Sequence, residues 1–216
     1  MDDLKFGFQD NKGDWKPHNK ISYAPLLNWP INLKVIFKWI FGFPGFLFPW
    51  NIFYLFLAIG IWSYATPSLN TMSALNLEWV LLVWMRNLAL AITIYGSWHL
   101  WLYFLKKQGT RFKYNKQWIN NNSKNFLFKN QTYDNIFWSL VSGVSVWTLY
   151  EVLFLWSYAN GTINILTFKE NPLIFILLFF LIPLIHELGF YFIHRILHIH
   201  TLYKIAHKIH HRNINP

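Results

Sequence analysis

The 216 residues are 54% hydrophobic and 21% aromatic with only 13% charged, a balance far from that of soluble domains and one that reads as a membrane protein. The formal net charge of +10 fits either a nucleic-acid partner or a membrane surface, so the placement of the basic residues along the chain has to decide between them. With no cysteine, disulfide frameworks, thiolate metal sites and cysteine nucleophiles are excluded, and any metal must be held by histidine and carboxylate.

The first 20 residues are polar and mixed in charge, with no apolar run leading to a small-residue cleavage site, so no signal peptide is expected. The following stretch INLKVIFKWIFGFPGFLFPW is apolar but broken by Pro44, Gly45 and Pro49, which suits an interfacial or re-entrant piece better than a span. A spanning helix needs about 20 mostly apolar residues to cross about 30 Å of hydrocarbon. Four stretches qualify: roughly Phe46 to Thr66 without a charge, Trp79 to Leu105 interrupted by Arg86, Ile136 to Ala159 carrying Glu151, and Pro172 to about Ile193. The fourth holds Pro183, a predicted kink, with His186 and Glu187 in its inner half. Arg86 and Glu151 lie at similar depths in their spans and are expected to pair within the bilayer, the alternative being that either faces a water-filled cavity.

Basic residues separate by connection. Lys5, Lys12, Lys16, Lys20, Lys34 and Lys38 precede the first span, and none lies between the first and second. The second connection is filled with lysines from Lys106 to Lys129, and the third holds only Lys169 beside Glu170. Arg195, Lys204, Lys208 and Arg212 follow the last span. Positive loops stay cytoplasmic, so the expected topology is four spans with both termini cytoplasmic, and the charge needs no nucleic acid to explain it. The expected fold is an all-α membrane protein of about four transmembrane helices with a cytoplasmic-side histidine-rich helical segment. Residues 1–45 read as a cytoplasmic or interfacial N-terminal segment and 46–216 as the membrane domain.

Seven of the nine histidines fall in the last 31 residues: His186, His194, His198, His200, His207, His210 and His211. His194 and His198 are one helical turn apart, so their imidazoles leave one face; His207 stands in the same relation to His210 and His211. Two such clusters on neighbouring segments can converge on one or two metal ions, neutral imidazole being a good ligand for first-row metals. An isolated pair of this spacing more often snorkels to headgroups; two clusters close in sequence favour the metal. His186 lies about 80° round an ideal helix from His194, either a further ligand or a residue that supports one. Glu187 is a candidate to orient a histidine. His99 reads as a packed or interfacial histidine, and His18 and His200 lack convincing partners.

The run FYFIHRILH followed by LYKIAHKIHHRNINP resembles the fatty acid hydroxylase and sterol desaturase superfamily, membrane enzymes whose histidine boxes surround two irons. On that resemblance His194 and His198 match the first box, HxxxH, and His207, His210 and His211 the second, HxxHH. The family's third box has no counterpart before Pro216, so the chain is expected to be incomplete at its C-terminus and inactive as it stands. The resemblance implies two histidine-ligated iron ions and hydroxylation or desaturation of a sterol or fatty acyl C–H bond with O2. It also implies a lipid substrate entering from the bilayer and a separate electron donor, cytochrome b5-like or ferredoxin-like, since no flavin, nicotinamide or iron–sulfur motif is present. The alternative is a non-catalytic metal-binding or scaffolding membrane protein.

Overall fold

The computed structural model describes residues 7–9, 15–18, 23–113 and 116–208. The chain divides into two compact units, Met1–Ser68 and Leu69–Pro216. It is mostly helical, as its apolar runs predict.

The first unit corrects the all-α expectation in one place. Strands β1 (Gly7–Gln9) and β2 (Trp15–Pro17) pair antiparallel, Phe8 opposite Lys16, in a segment too polar and too short to have shown a strand pattern. Helix α1 (Leu33–Phe41) starts on Asn32, whose side chain accepts from the backbone N–H groups of Lys34 and Val35, and stops at Gly42. At nine residues, about 14 Å, it is too short to cross a bilayer. The Pro44 to Pro49 region is irregular as expected: Phe48 is extended (φ −108°, ψ 136°) before helix α2 (Ile52–Tyr64) begins. No residue of α2 is buried, as befits a helix apolar on every side.

The second unit opens with the single turn α3 (Leu69–Met72) and then α4 (Leu77–His99), capped by the Asn76 side chain and continued by a π-helical turn to Phe104. Helix α5 (Gln131–Trp138) passes through a second π turn, Ser139–Gly143, into α6 (Val144–Ala159). Helix α7 (Pro172–Leu197) runs through Pro183, and one helical turn, α8 (His200–Leu202), follows it. Among the described residues, four helical segments are long and apolar enough to cross a membrane: Leu47–Tyr64, Leu77–Phe104, Gln131–Ala159 and Pro172–Leu197. They coincide with the four stretches read from the sequence, the third and fourth extending further than expected.

Helices α4 and α6 pack through matching stripes. Trp79, Val83, Asn87 and Ala91 recur every fourth residue on α4 and are buried; Val144, Thr148, Val152 and Leu155, spaced by four, four and three, form the buried stripe of α6. Met72 of α3 joins Trp79, Val83, Val152 and Leu155 in one apolar cluster. The pairing is antiparallel, because Asn160 Nδ2 donates to the Ser73 carbonyl (3.0 Å) at one end while Asn87 Nδ2 donates to Thr148 Oγ1 (3.2 Å) further along. Midway lies the expected ion pair. Arg86 Nη2 donates to Glu151 Oε1, and Asn87 bridges the pair by accepting from the guanidinium (3.0 Å) and donating to Glu151 Oε2 (2.8 Å). Both carboxylate oxygens are thus satisfied between two spanning helices, where an unpaired charge is expensive.

The connection from α4 to α5 is held by the first turn of α5. Asn130 caps it, accepting from Thr132 and Tyr133 N–H. Buried Gln131 exchanges two hydrogen bonds with the Asn120 backbone, through its own N–H (3.0 Å) and through Oε1 (2.9 Å). Asp134 accepts from Leu127 N–H at 2.8 Å.

Candidate metal centre

The first histidine pair belongs to the spanning helix itself. Helix α7 reaches Leu197, so His194 is in its last turn and His198 caps it, the His198 N–H donating to the His194 and Arg195 carbonyls at 3.2 Å. One helical turn therefore separates the two imidazoles, whose Nε2 atoms stand 3.1 Å apart. The chain reverses at Ile199, extended at φ −61°, ψ 130°, and re-enters helix through α8 and a π turn over Tyr203–His207. The Tyr203 N–H donates to the Ile199 carbonyl (2.8 Å), the first intrahelical bond after the reversal.

It lays His207 against the other two. The imidazole centroids are 4.8 Å apart for His194 and His198, 4.6 Å for His194 and His207, and 4.9 Å for His198 and His207. One ring nitrogen from each of the three lies within 4.8 Å of the others. His207 is buried, with its Nε2 sequestered from solvent; His194 is half-buried and His198 exposed, so the cluster closes on one side and opens on the other. A depression of about 510 Å³ lies on the open side, lined by Tyr191, His194, Arg195, His198 and Ile199.

Two nitrogens bound to one first-row metal at about 2.0–2.1 Å stand roughly 2.8–3.4 Å apart at angles near 90–110°. The 3.1 Å separation of His194 and His198 falls in that range, and His207, its donor within 4.8 Å of theirs, would have to close onto them to supply the third nitrogen of a facial set. The same separation also suits an N–H···N hydrogen bond, which one combination of tautomers makes without a metal. The described donors fit a single first-row ion.

The remaining predicted site residues are placed differently. His186 is on α7 but outside the cluster, its side chain 74% exposed with Nδ1 3.5 Å from Glu187 Oε1. His210 and His211 lie outside the described residues. His200 begins α8, exposed. His99 is on α4 and stacks on Tyr103, ring centroids 5.4 Å apart. Two residues that sequence reasoning passed over flank the cluster. Tyr203 packs within 5.8 Å of the His198 ring and 6.1 Å of the His207 ring, and Phe190 lies 5.3 Å from His194. Their spacing held the signal: Phe190 is one turn before His194 and Tyr203 one turn before His207. Compared with protein families, curated proteins and solved structures, the chain matches none.

Proposed function

We propose that this chain is the membrane-embedded part of a histidine-ligated iron oxygenase, similar to the fatty acid hydroxylase and sterol desaturase superfamily, that hydroxylates or desaturates a lipid C–H bond with O2. One observation carries the reading: three imidazoles converge at the end of an apolar helix long enough to span the bilayer. On this reading His194, His198 and His207 hold one iron, and His210, His211 and His186 are the candidates for the second. Bound iron supplies the O2 chemistry, with two electrons and two protons per hydroxylation delivered by a separate donor. The chain's own residues bind and orient. Phe190 and Tyr203 fix imidazole planes by packing, and the apolar face of α7 presents the lipid from the side. Burial of His207 keeps water from the inner face of the site. The positive loops support a topology with both termini, and the donor, on the cytoplasmic side.

The second reading, a non-catalytic metal-binding membrane protein, is favoured by the cluster's three described donors, a set sufficient for one ion. To separate the two, the protein is expressed from its complete gene, and metal per polypeptide is measured beside lipid oxidation under ¹⁸O2 with a reductase system. The oxygenase predicts iron and O2-dependent lipid product, both lost in His194→Ala and His207→Ala. Metal retention without product leaves only the second reading, and equal metal content in wild type and both variants removes the two together.

A further inference from the structure

Away from the histidine cluster, α4 and the α5–α6 segment part to form a groove of about 800 Å³, inside the roughly 300–1,000 Å³ range of ligand pockets. One wall is the α4 face carrying Ala91, Tyr95, Gly96 and His99. The other carries Ile136, Leu140, Gly143 and Trp147, and extends from Thr132 for about 22 Å along the helical path. That is most of the hydrocarbon thickness of about 30 Å. Neither glycine is filled by a neighbour: a Cβ on Gly96 meets nothing within 4 Å, and one on Gly143 only the Trp138 carbonyl oxygen at 3.9 Å.

His99 and Thr132 line this groove and also a second cavity of about 250 Å³, so the two adjoin. The second cavity is polar and basic. Asn121, Asn130 and Lys106 face it beside Trp118. Lys106 adopts a left-handed backbone (φ 48°), uncommon for a side-chain-bearing residue, and its Nζ lies 4.5 Å from the centre of the Trp118 ring. Lys113 lies against two aromatic side chains that line this cavity, Nζ at 4.9 Å from the Tyr103 ring centre and 5.3 Å from that of Trp118. Partial burial lowers the Lys113 pKa below the ordinary lysine value, and an anion beside it counteracts that cost.

We propose that the groove and its basic mouth form a binding site for one anionic phospholipid, with an acyl chain along α4 and α5–α6 and its phosphate at Lys106 and Lys113. The charge arrangement selects the occupant: a long apolar trough ending in two ammonium groups and amide donors complements an acyl chain joined to an anion. A neutral lipid brings no counter-charge to the two ammonium groups, and an apolar protein helix leaves the polar mouth unfilled. The site shares no residue with the histidine cluster and stands whether or not that cluster holds iron.

The test uses the whole protein reconstituted in phosphatidylcholine bilayers doped with spin-labelled phosphatidylglycerol, phosphatidylcholine or stearate, the motionally restricted fraction being read by electron spin resonance. Phosphatidylglycerol is expected to be restricted about five-fold or more in preference to phosphatidylcholine, from the attraction of the two lysines. Lys106→Gln with Lys113→Gln removes that preference. Gly96→Leu, and independently Gly143→Leu, fill the groove and lower the restricted fraction for every probe, whereas Gly189→Leu on α7, where a Cβ also meets nothing within 4 Å, leaves it unchanged. Equal restriction of the two phospholipids overturns the proposal, as does a preference for stearate, which assigns the site to a fatty acid. Groove-filling variants that fold by circular dichroism and bind lipid as wild type does overturn it too.

Discussion

Arg86 and Glu151 illustrate how little tolerance a charge has between spanning helices. Their side chains are 12% and 23% exposed, and Asn87, fully buried, ties the guanidinium to the carboxylate. Glu151→Leu leaves the guanidinium without its counter-ion and is expected to destabilise the helix pair by about 3–5 kcal/mol. Glu151→Gln keeps a polar partner and should lose less. Thermal denaturation in detergent measures both, and the exchange Arg86→Glu with Glu151→Arg should recover part of what each reversal alone loses. No recovery would mean that the network, with Asn87 and Thr148, depends on this one orientation and not on charge pairing. Tyr203 offers a second residue-level prediction, resting on the metal reading. Because its ring packs on two of the three imidazoles, Tyr203→Ala should weaken metal binding by about ten-fold or more while Tyr203→Phe keeps it, as titration with Fe²⁺ or Co²⁺ would record.

Among the elements, the α4–α6 pair depends on two stripes, and truncating either should loosen it. Leu155→Ala removes a side chain 2% exposed from the apolar cluster and is expected to destabilise by about 2–5 kcal/mol, whereas Leu149→Ala, on the exposed side of α6, should change little. The cap at Asn130 is worth about 1 kcal/mol, so Asn130→Ala should free the preceding loop to protease before the helices unfold. The spans were legible because about 20 apolar residues have few other uses, and the Arg86–Glu151 pair because intramembrane charges at like depth seek each other. The stapling of the loop was not. Residues 119–125 look like a featureless asparagine-rich stretch, and only the fold shows Gln131 and Asp134 reaching back to the Asn120 and Leu127 backbones. The histidine spacing gave one turn between His194 and His198 directly. What it left open was the reversal at Ile199 that carries His207 onto them, since a change of direction at a single extended residue has no periodic signature.

For the molecule as a whole, the antiparallel α4–α6 pair places the Leu69–Met72 turn and the Asn160 turn at one end and the lysine-rich connection at the other. With no native cysteine, single cysteines at Asn70, Gly161, Lys116 and Lys208 can be labelled one at a time in intact vesicles. Positions 70 and 161 should react from one side and 116 and 208 from the other; labelling of 70 and 116 from the same side would rule out four spans.

Helix α7 has one more consequence. From Pro172 to His194 it rises about 33 Å, close to the hydrocarbon thickness of about 30 Å, and no break separates its apolar part from its imidazoles. Its length therefore acts as a depth gauge, fixing how far the cluster stands clear of the acyl chains. A host bilayer a few ångströms thicker draws His194 and His198 into the headgroup boundary, and a thinner one tilts the helix and lifts them less directly into water. Ion uptake should accordingly fall as the lipids of a nanodisc are lengthened, with the protein otherwise unaltered, making membrane thickness an input to the site that no residue change need supply.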